Sequence, residues 1–226
     1  MQLFYTSRAD TTVLEQDEFI HCTKVLRNRE NDKILLTDGN GNLFESRILK
    51  IKKNHCEIES LKKIKSIEKN KKNHLVLAAI KNQNRLEWMV EKLTEIGIDE
   101  ITFIKTTNSE RSKINYSRID KKIISALKQC KSLFKPKINK IITLNEFLGY
   151  DYETSNKYIA DLSSKTKMKK NIKDKVSIIM IGPEGDFTRK EIDMIYKKGY
   201  KKITLGDQVL RSETAAVVGG FLLVNN

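Results

Sequence analysis

Ile178-Ile179-Met180-Ile181-Gly182-Pro183-Glu184-Gly185-Asp186-Phe187-Thr188 is the stretch on which the fold turns. An uncharged apolar run ends abruptly in a Gly-Pro-Glu-Gly turn, and a helix start follows at once. Pro183 is one of only two prolines, and six of the ten glycines (Gly182, Gly185, Gly199, Gly206, Gly219, Gly220) fall in the last 45 residues. Backbone freedom is concentrated here, so this is where a ligand that touches main chain is expected. On the four turn residues alone, a tight strand-to-helix turn remains the better account.

The surrounding sequence alternates between strand and helix patterns. His74 to Ile80 reads as a buried strand. Asn84 is placed as the N-cap of a helix whose stripe is Leu86, Met89, Val90, Leu93 and Ile96, and Gly97 closes it. Trp88, the sole tryptophan, lies outside that stripe and is read as a second packing face rather than an interface anchor. Ile101 to Ile104 is a strand, Thr106 to Ser112 a polar loop, and a basic helix ended by Pro136 follows. Its apolar side is Ile119, Ile123, Ile124 and Leu127; its other side carries Lys121, Lys122, Lys128 and Lys131. Ile138 to Leu144, Tyr158 to Leu162 and Val176 to Ile181 read as further strands. Such alternation implies a mostly parallel sheet, which binds ligands beyond the carboxyl ends of its strands.

The end of the chain meets that rule twice. After Ile181 comes the glycine-proline turn, and Thr188 with Glu191 makes a capping box for a helix to Lys198. After a strand at Lys202 to Leu205 comes Gly206-Asp207-Gln208-Val209-Leu210-Arg211. Ser212 is placed as the cap of a last helix, with Glu213 complementing its dipole. Ala215, Ala216 and Gly219-Gly220 would let that helix approach its neighbours closely, since glycine is otherwise costly inside a helix. There is no GxGxxG after a first strand, no GxxxxGK[ST] and no nucleophile elbow, which disfavours a dinucleotide or a triphosphate.

The first third reads as short strands. Leu3 to Tyr5 is a candidate strand and Asp17 to Leu26 a short helix. Lys33 to Thr37 runs through Asp38-Gly39-Asn40-Gly41 into Asn42 to Ile48, a hairpin signal. Ile48 to Leu61 alternates in part, which suggests a small β-barrel. Lys62 to Lys72, with six lysines and one acid, is a linker or an exposed strand edge. The domains are therefore set at 1–72 and 73–226.

Charge points to a polyanionic partner. The chain of 226 residues has 43 basic and 29 acidic side chains, a net +14. From Arg111 to Lys140 there are ten basic residues and one acid, Asp120. Codon bias towards Lys is the plainer account of the total, but it hardly explains this local +9, for which a solvated helix face is the plainer account. No run of about 18 apolar residues predicts a membrane span, and no signal peptide is visible. Cys22, Cys56 and Cys130 form no CxxC, which fits free thiols in a reducing cytoplasm. The repeated pairs His21-Cys22 and His55-Cys56 would chelate badly, because neighbours in a strand point to opposite faces. No metal is expected.

Taken together, the motifs carry a resemblance. The C-terminal two thirds resemble a SPOUT-class, trefoil-knotted S-adenosylmethionine methyltransferase, and the whole chain resembles the RsmE family of 16S rRNA uridine-N3 methyltransferases. The matching stretches are Lys81 to Arg85, Glu91 to Gly97, Glu110-Arg111-Ser112, Gly182 to Thr188 and Leu205 to Ala215. His21 with Val25-Leu26-Arg27, then Asp38 to Gly41, resembles the family's PUA-like barrel.

The resemblance implies an α/β fold with a knot, a small RNA-binding barrel before it, and a homodimer with the active site at the interface. It implies that Leu162, Ile181, Gly182, Gly185, Leu205, Gly206, Leu210 and Thr214 line the S-adenosylmethionine. Arg211 is the candidate for charge stabilisation, and Glu184 or Glu213 for proton acceptor. The blander alternative is that Glu213 only caps its helix and pairs with Arg211. Arg8, Arg27, Arg111, Lys113 and Lys121 are the candidate RNA contacts, with the 16S rRNA or the assembled small subunit as substrate. Alternatives are action on another RNA, or RNA binding without catalysis. The chain departs from the family pattern at Asp186 and Asn31, where glycine is usual, and at Lys128 and Ser132, where an acid and an arginine are usual.

Overall fold

The computed structural model describes residues 1–7, 12–109, 113–152, 156–168 and 175–226. The chain forms two compact units, Met1–Lys69 with Leu127–Lys135, and Asn70–Ala126 with Pro136–Asn226. The stretch 127–135 thus packs with the first unit, although the sequence places it in the second domain. The Asp38–Gly41 turn holds it: Leu133 O accepts from Gly41 N at 2.8 Å, and Gly39 O accepts from Lys135 N at 2.8 Å.

The first unit is built on β1 (Leu3–Tyr5), β2 (Val13–Glu15), β3 (Lys33–Thr37), β4 (Asn42–Ile51) and β5 (His55–Ser66). These make a curled sheet in the order β1-β3-β4-β5-β2. The β3–β4 pair is the hairpin read from the sequence, with Thr37 opposite Leu43. Phe4, Leu14, Ile34, Leu36, Ile48 and Ile58 fill its core. Helix α1 (Gln16–Ile20) continues as a π-helical turn, His21–Val25, so the predicted single short helix is two-part. Cys22 and Cys56 both turn into the core, while His55 is half-buried and bonds Asn54. His21 is half-buried too, its ring 5.7 Å from that of Phe4, and it lies on the helical turn rather than on a strand. The lysine-rich run from Lys62 is the exposed end of β5 as far as Ser66, because that strand extends beyond its buried half.

The second unit is a parallel sheet between helices. Its elements are β6 (Lys72–Ala78), α2 (Gln83–Ile96), β7 (Glu100–Lys105), α3 (Tyr116–Gln129), β8 (Lys137–Thr143), α4 (Leu144–Gly149), β9 (Lys157–Ala160), β10 (Val176–Ile181), α5 (Arg189–Lys197), β11 (Lys201–Ile203) and α6 (Ser212–Val224). The strand order is β11-β9-β10-β6-β7-β8, every pair parallel. Leu86, Met89, Val90 and Leu93 of α2 and Ala216 and Leu223 of α6 pack on one face, with Leu75, Leu77, Ile179 and Ile181 of the sheet. Leu144, Phe147 and Leu148 of α4 and Ile195 of α5 cover the other, against Val76, Ile104, Ile178 and Met180.

Several local details differ from the expectations. The N-cap of α2 is Asn82, not Asn84: its Oδ1 accepts from Asn84 N at 2.9 Å and Arg85 N at 3.1 Å. Trp88 is 44% exposed, so it does not serve as a packing face within this chain. The strand predicted to Leu144 stops at Thr143, which caps α4 through a capping box with Glu146. The strand predicted to Leu162 ends at Ala160, and the strand predicted from Lys202 to Leu205 is Lys201–Ile203. The basic helix ends at Gln129, before Pro136. Arg211, not Ser212, is the N-cap of α6, and it offers no side-chain cap.

Close approach explains the glycine pair in α6. A Cβ on Gly219 would sit 2.8 Å from Ile179 Cδ1, and one on Gly220 2.7 Å from Leu93 Cδ2. A larger residue at either position would force the Ile179 or Leu93 side chain, both fully buried, to shift.

A polar row crosses the amino ends of β6, β7 and β8. Burial holds the His74 imidazole down at about 4. Burial also opposes the Glu100 charge, but hydrogen bonds from Lys72 and Asn139 outweigh it and hold that carboxyl at about 2. Both depressed groups bind fewer protons folded than unfolded, so both make stability rise with pH. His74 contributes stability fully present above about 6.5 and lost as pH falls towards about 4; Glu100 adds a loss from about 4.5 down to about 2. Urea unfolding should therefore show stability falling between pH 6.5 and 4.5, and His74→Phe should flatten that interval. An unchanged slope in the variant would remove His74 from this account.

Candidate functional site

Register places three strand ends at one level. Ile203 pairs with Ala160, and Ile159 pairs with Met180, one residue before the end of β10. The loops after β9, β10 and β11 therefore start side by side at the carboxyl edge of the sheet. They enclose a cavity of about 480 Å³, within the usual range for small-ligand sites. Its wall includes Leu162 from the first loop, Ile181, Gly182 and Glu184 from the second, and Leu205, Gly206, Leu210 and Arg211 from the third.

The turn after β10 is fixed from within and from outside. Asp186 N donates to Pro183 O at 3.0 Å. Asp186 has φ 58°, a left-handed conformation that favours glycine. Its Oδ1 accepts from Phe187 N at 2.7 Å, a local bond of the kind that lets Asp occupy this region. Asn31, the other position at which a glycine was expected, has φ 73°. Both residues thus adopt the left-handed backbone that a glycine would accept. A Cβ on Gly182 would lie 3.1 Å from Asp186 Oδ1 and 3.3 Å from the Phe187 ring, so Gly182 is needed for the turn to close on itself.

Two residues of the loop after β7 hold this turn, and neither was singled out from sequence. Asn108 Nδ2 donates to the carbonyls of Gly185 and Asp186, both at 2.9 Å. Thr107 donates to Glu191 Oε1 through its N–H at 2.8 Å and its hydroxyl at 3.1 Å. Glu191 Oε2 accepts from Thr188 N at 2.8 Å and Thr188 Oγ1 at 2.9 Å. Burial opposes the Glu191 charge, but these bonds outweigh it and keep its carboxyl below the usual range. The capping box was legible; its second role as the anchor of a distant loop was not.

The third loop leaves main chain unspent. Thr204 Oγ1 donates to Gly206 O at 3.0 Å and accepts from Gly206 N at 3.1 Å. Gly206 has φ 136°, which other residues rarely adopt. Among the described residues the backbone amides from Asp207 to Leu210 have no hydrogen-bond partner. The first loop is stiffer. Asp161, also in the wall, accepts from Ser163 N at 2.7 Å and Tyr196 Oη at 3.0 Å. Burial opposes the Asp161 charge, and these bonds overcome it and lower its carboxyl.

The other candidates fall elsewhere. Gly185 faces Asn108, and neither it nor Thr214 is in the cavity wall. Glu213 is buried and also outside the wall; its Oε1 lies 3.5 Å from Arg85 Nε. The partner expected from the plainer account was Arg211, but Arg211 points into the cavity wall and Arg85 takes its place. Arg85 itself lines the cavity. Arg27, Lys113 and Lys121 are exposed, and Arg8 and Arg111 lie outside the described residues. Lys128 bonds Glu18, with His21 Nδ1 3.4 Å away, inside the first unit. Ser132 accepts from Phe134 N at 3.2 Å and donates to its carbonyl at 3.1 Å. Among the described residues no three His, Cys, Asp or Glu side chains gather as a metal site requires, and no helix is long and apolar enough to cross a membrane.

The family described as RNA methyltransferase domain matches residues 67–221, and the RNA methyltransferase PUA domain matches residues 14–60. The chain belongs to the RNA methyltransferase family. It is 30% identical over 209 residues to the ribosomal RNA small subunit methyltransferase E of Rickettsia conorii, covering 90% of this chain and 85% of that one. The enzyme of the same name from Buchnera aphidicola is 32% identical over 208 residues, 88% of this chain and 81% of the other. The solved structure of a methyltransferase from Legionella pneumophila, in complex with S-adenosylmethionine, superposes with TM-score 0.86 at 26% identity, over 98% of this chain and 96% of that one. For this RNA methyltransferase the strand-end cavity is thus the candidate cofactor site.

Arg85 is the cation of a buried acid. Glu213 Oε2 has no hydrogen-bond partner, so the Arg85 contact is what offsets its desolvation. Arg85→Ala should destabilise the fold by about 1–3 kcal/mol in urea at pH 7, and Glu213→Gln added to it should recover part of that loss. Equal stability of wild type and Arg85→Ala would contradict this.

Proposed function

We propose that this chain transfers a methyl group from S-adenosylmethionine to N3 of a uridine in small-subunit (16S) rRNA. The observation that carries the reading is the cavity where three strand-end loops meet, in a chain whose relatives carry the name of that rRNA methyltransferase. The cavity fits the cofactor on its own terms. Its third loop offers unpaired amides to an adenine edge, and the glycines Gly182 and Gly206 keep side chains out of the way. When bound, S-adenosylmethionine supplies an activated methyl on a sulfonium.

The chain's own task is then to hold the base in line and to manage one proton. Uridine N3 carries a weakly acidic proton, and a cation beside it stabilises the developing negative charge. We assign that cation to Arg211, which is exposed in the wall, and the proton acceptor to Glu184, also exposed there. Glu213, committed to Arg85, is assigned to anchoring. Leu162, Ile181, Gly182, Leu205, Gly206 and Leu210 hold the cofactor; Gly185 and Thr214 support the two loops from behind.

A homodimer follows on the same reading. Leu162 at 62% exposed, Val209 at 81%, Phe221 at 55% and Trp88 at 44% are large apolar residues left open, two of them in the cavity wall. A second copy covering them would complete the site. The trefoil knot implied by the resemblance belongs to the same reading. We assign residues 1–72 to the RNA-binding PUA-like domain and 73–226 to the methyltransferase domain. The substrate is the assembled small subunit, in the cytoplasm. Arg27, Lys113 and Lys121 contact phosphate, together with Arg8 and Arg111.

Arg211→Ala should cut methyl incorporation into small subunits from methyl-deficient cells by at least about 100-fold, with S-adenosylmethionine affinity unchanged by calorimetry. Full activity of the variant sinks the role of Arg211. Cofactor binding by wild type with no methyl transfer to any RNA would favour the non-catalytic reading.

A further inference from the structure

A second cavity, of about 370 Å³, opens at the opposite edge of the sheet. It runs along β7 and β8 from Glu100 and Lys137, which pair at their amino ends, to Ile142, whereas the first cavity lies beyond the carboxyl ends of β9, β10 and β11. Nothing in the methyl-transfer reading uses it. One wall is aromatic: Phe147 of α4 and Tyr150 and Tyr152 just after it. Phe147 and Tyr152 stack with centroids 5.6 Å apart, and both meet the buried His74 ring edge-on, at 5.8 and 5.6 Å. The three rings pack on one another, while Tyr150 stands 58% exposed at the mouth.

The facing wall is polar. Asn139 Nδ2 donates to Glu100 Oε1 at 2.6 Å and Thr102 Oγ1 at 2.7 Å. With its amide nitrogen spent inward, Asn139 has its carbonyl oxygen left to accept from a ligand. His74 is neutral at physiological pH and bonds Thr102 Oγ1 at 2.8 Å through Nε2. Glu100 is already neutralised by Lys72 and by Lys137, 3.3 Å away. Lys140 adds a further exposed cation at the rim. The summed charge of these four side chains is positive. A cationic ligand, the usual occupant of an aromatic box with a carboxylate, is therefore repelled.

We propose that this cavity takes an unpaired base of the substrate RNA, stacked on Tyr150, with Lys137 and Lys140 on the flanking phosphates. An exposed aromatic face beside lysines is how single-stranded nucleic acid is held without a fixed sequence, and the half-buried Asn139 acceptor beside it adds a contact to a base edge. The proposal rests on the chain acting on RNA and adds a second point of attachment away from the reacting base.

Fluorescence anisotropy with a labelled single-stranded RNA decamer, and with the same decamer annealed to its complement, tests it on the full chain. Tyr150→Ala should weaken single-strand binding at least about fivefold and leave duplex binding unchanged, while Tyr150→Phe binds as wild type. Lys140→Ala should weaken both. Tyr150 is exposed, and an unshifted melting temperature confirms that its variants fold. If wild type and Tyr150→Ala bind the single strand equally, the proposal is overturned. If only Lys140→Ala has an effect, the face binds phosphate alone and the base pocket is again rejected. If wild type binds neither RNA, it is the action on RNA that fails, not this cavity alone.

Discussion

Parallel pairing of β9 with β10 and β11 is the constraint on which the rest depends. It brings Ala160, Ile181 and Ile203 to one edge, so that three loops distant in sequence share one cavity. The pairing is secured by packing rather than by the loops. Ile178 and Met180 are fully buried on one face and Ile179 on the other, and the missing side chain of Gly219 lets α6 pack closely on Ile179. The site is thus a consequence of the core. A substitution that lifts α6 would disturb the loops around the cavity without touching them.

The cavity itself is main chain held by side chains that lie outside it. Glu191 binds both Thr188 and the Thr107 loop, and Asn108 takes the two carbonyls that follow the glycine-proline turn. This division suits a ligand read by backbone amides, since the wall stays narrow and the restraint comes from behind. Asp186 fits the same logic. It stands where a glycine was expected, yet adopts the left-handed backbone and bonds its own neighbour's amide.

Much of this was legible in the sequence, for physical reasons. The apolar runs at His74 and Ile178 are long and uncharged because both faces of a parallel strand are buried. The Thr188–Glu191 capping box and the Asp38–Gly41 hairpin are local devices, so a local pattern reveals them. Short elements were harder: Thr143-Leu144-Asn145-Glu146 carries the same capping-box spacing as Thr188–Glu191, but α4 is too short to show a helical period. Partners distant in sequence left no trace. Asn108 with Gly185, Arg85 with Glu213, and residues 127–135 with the first unit depend on tertiary register, which spacing alone does not encode.

The central claim is that the loops after β10 and β11 hold S-adenosylmethionine through their backbone. Titration calorimetry of S-adenosylmethionine into wild type and Gly206→Val tests it most directly. At φ 136° a valine is strained, so the loop must rearrange. The expected result is binding by wild type and an affinity loss of at least about tenfold in the variant, with the melting temperature little changed. Equal affinity in the two proteins, or no binding by wild type, would contradict the claim.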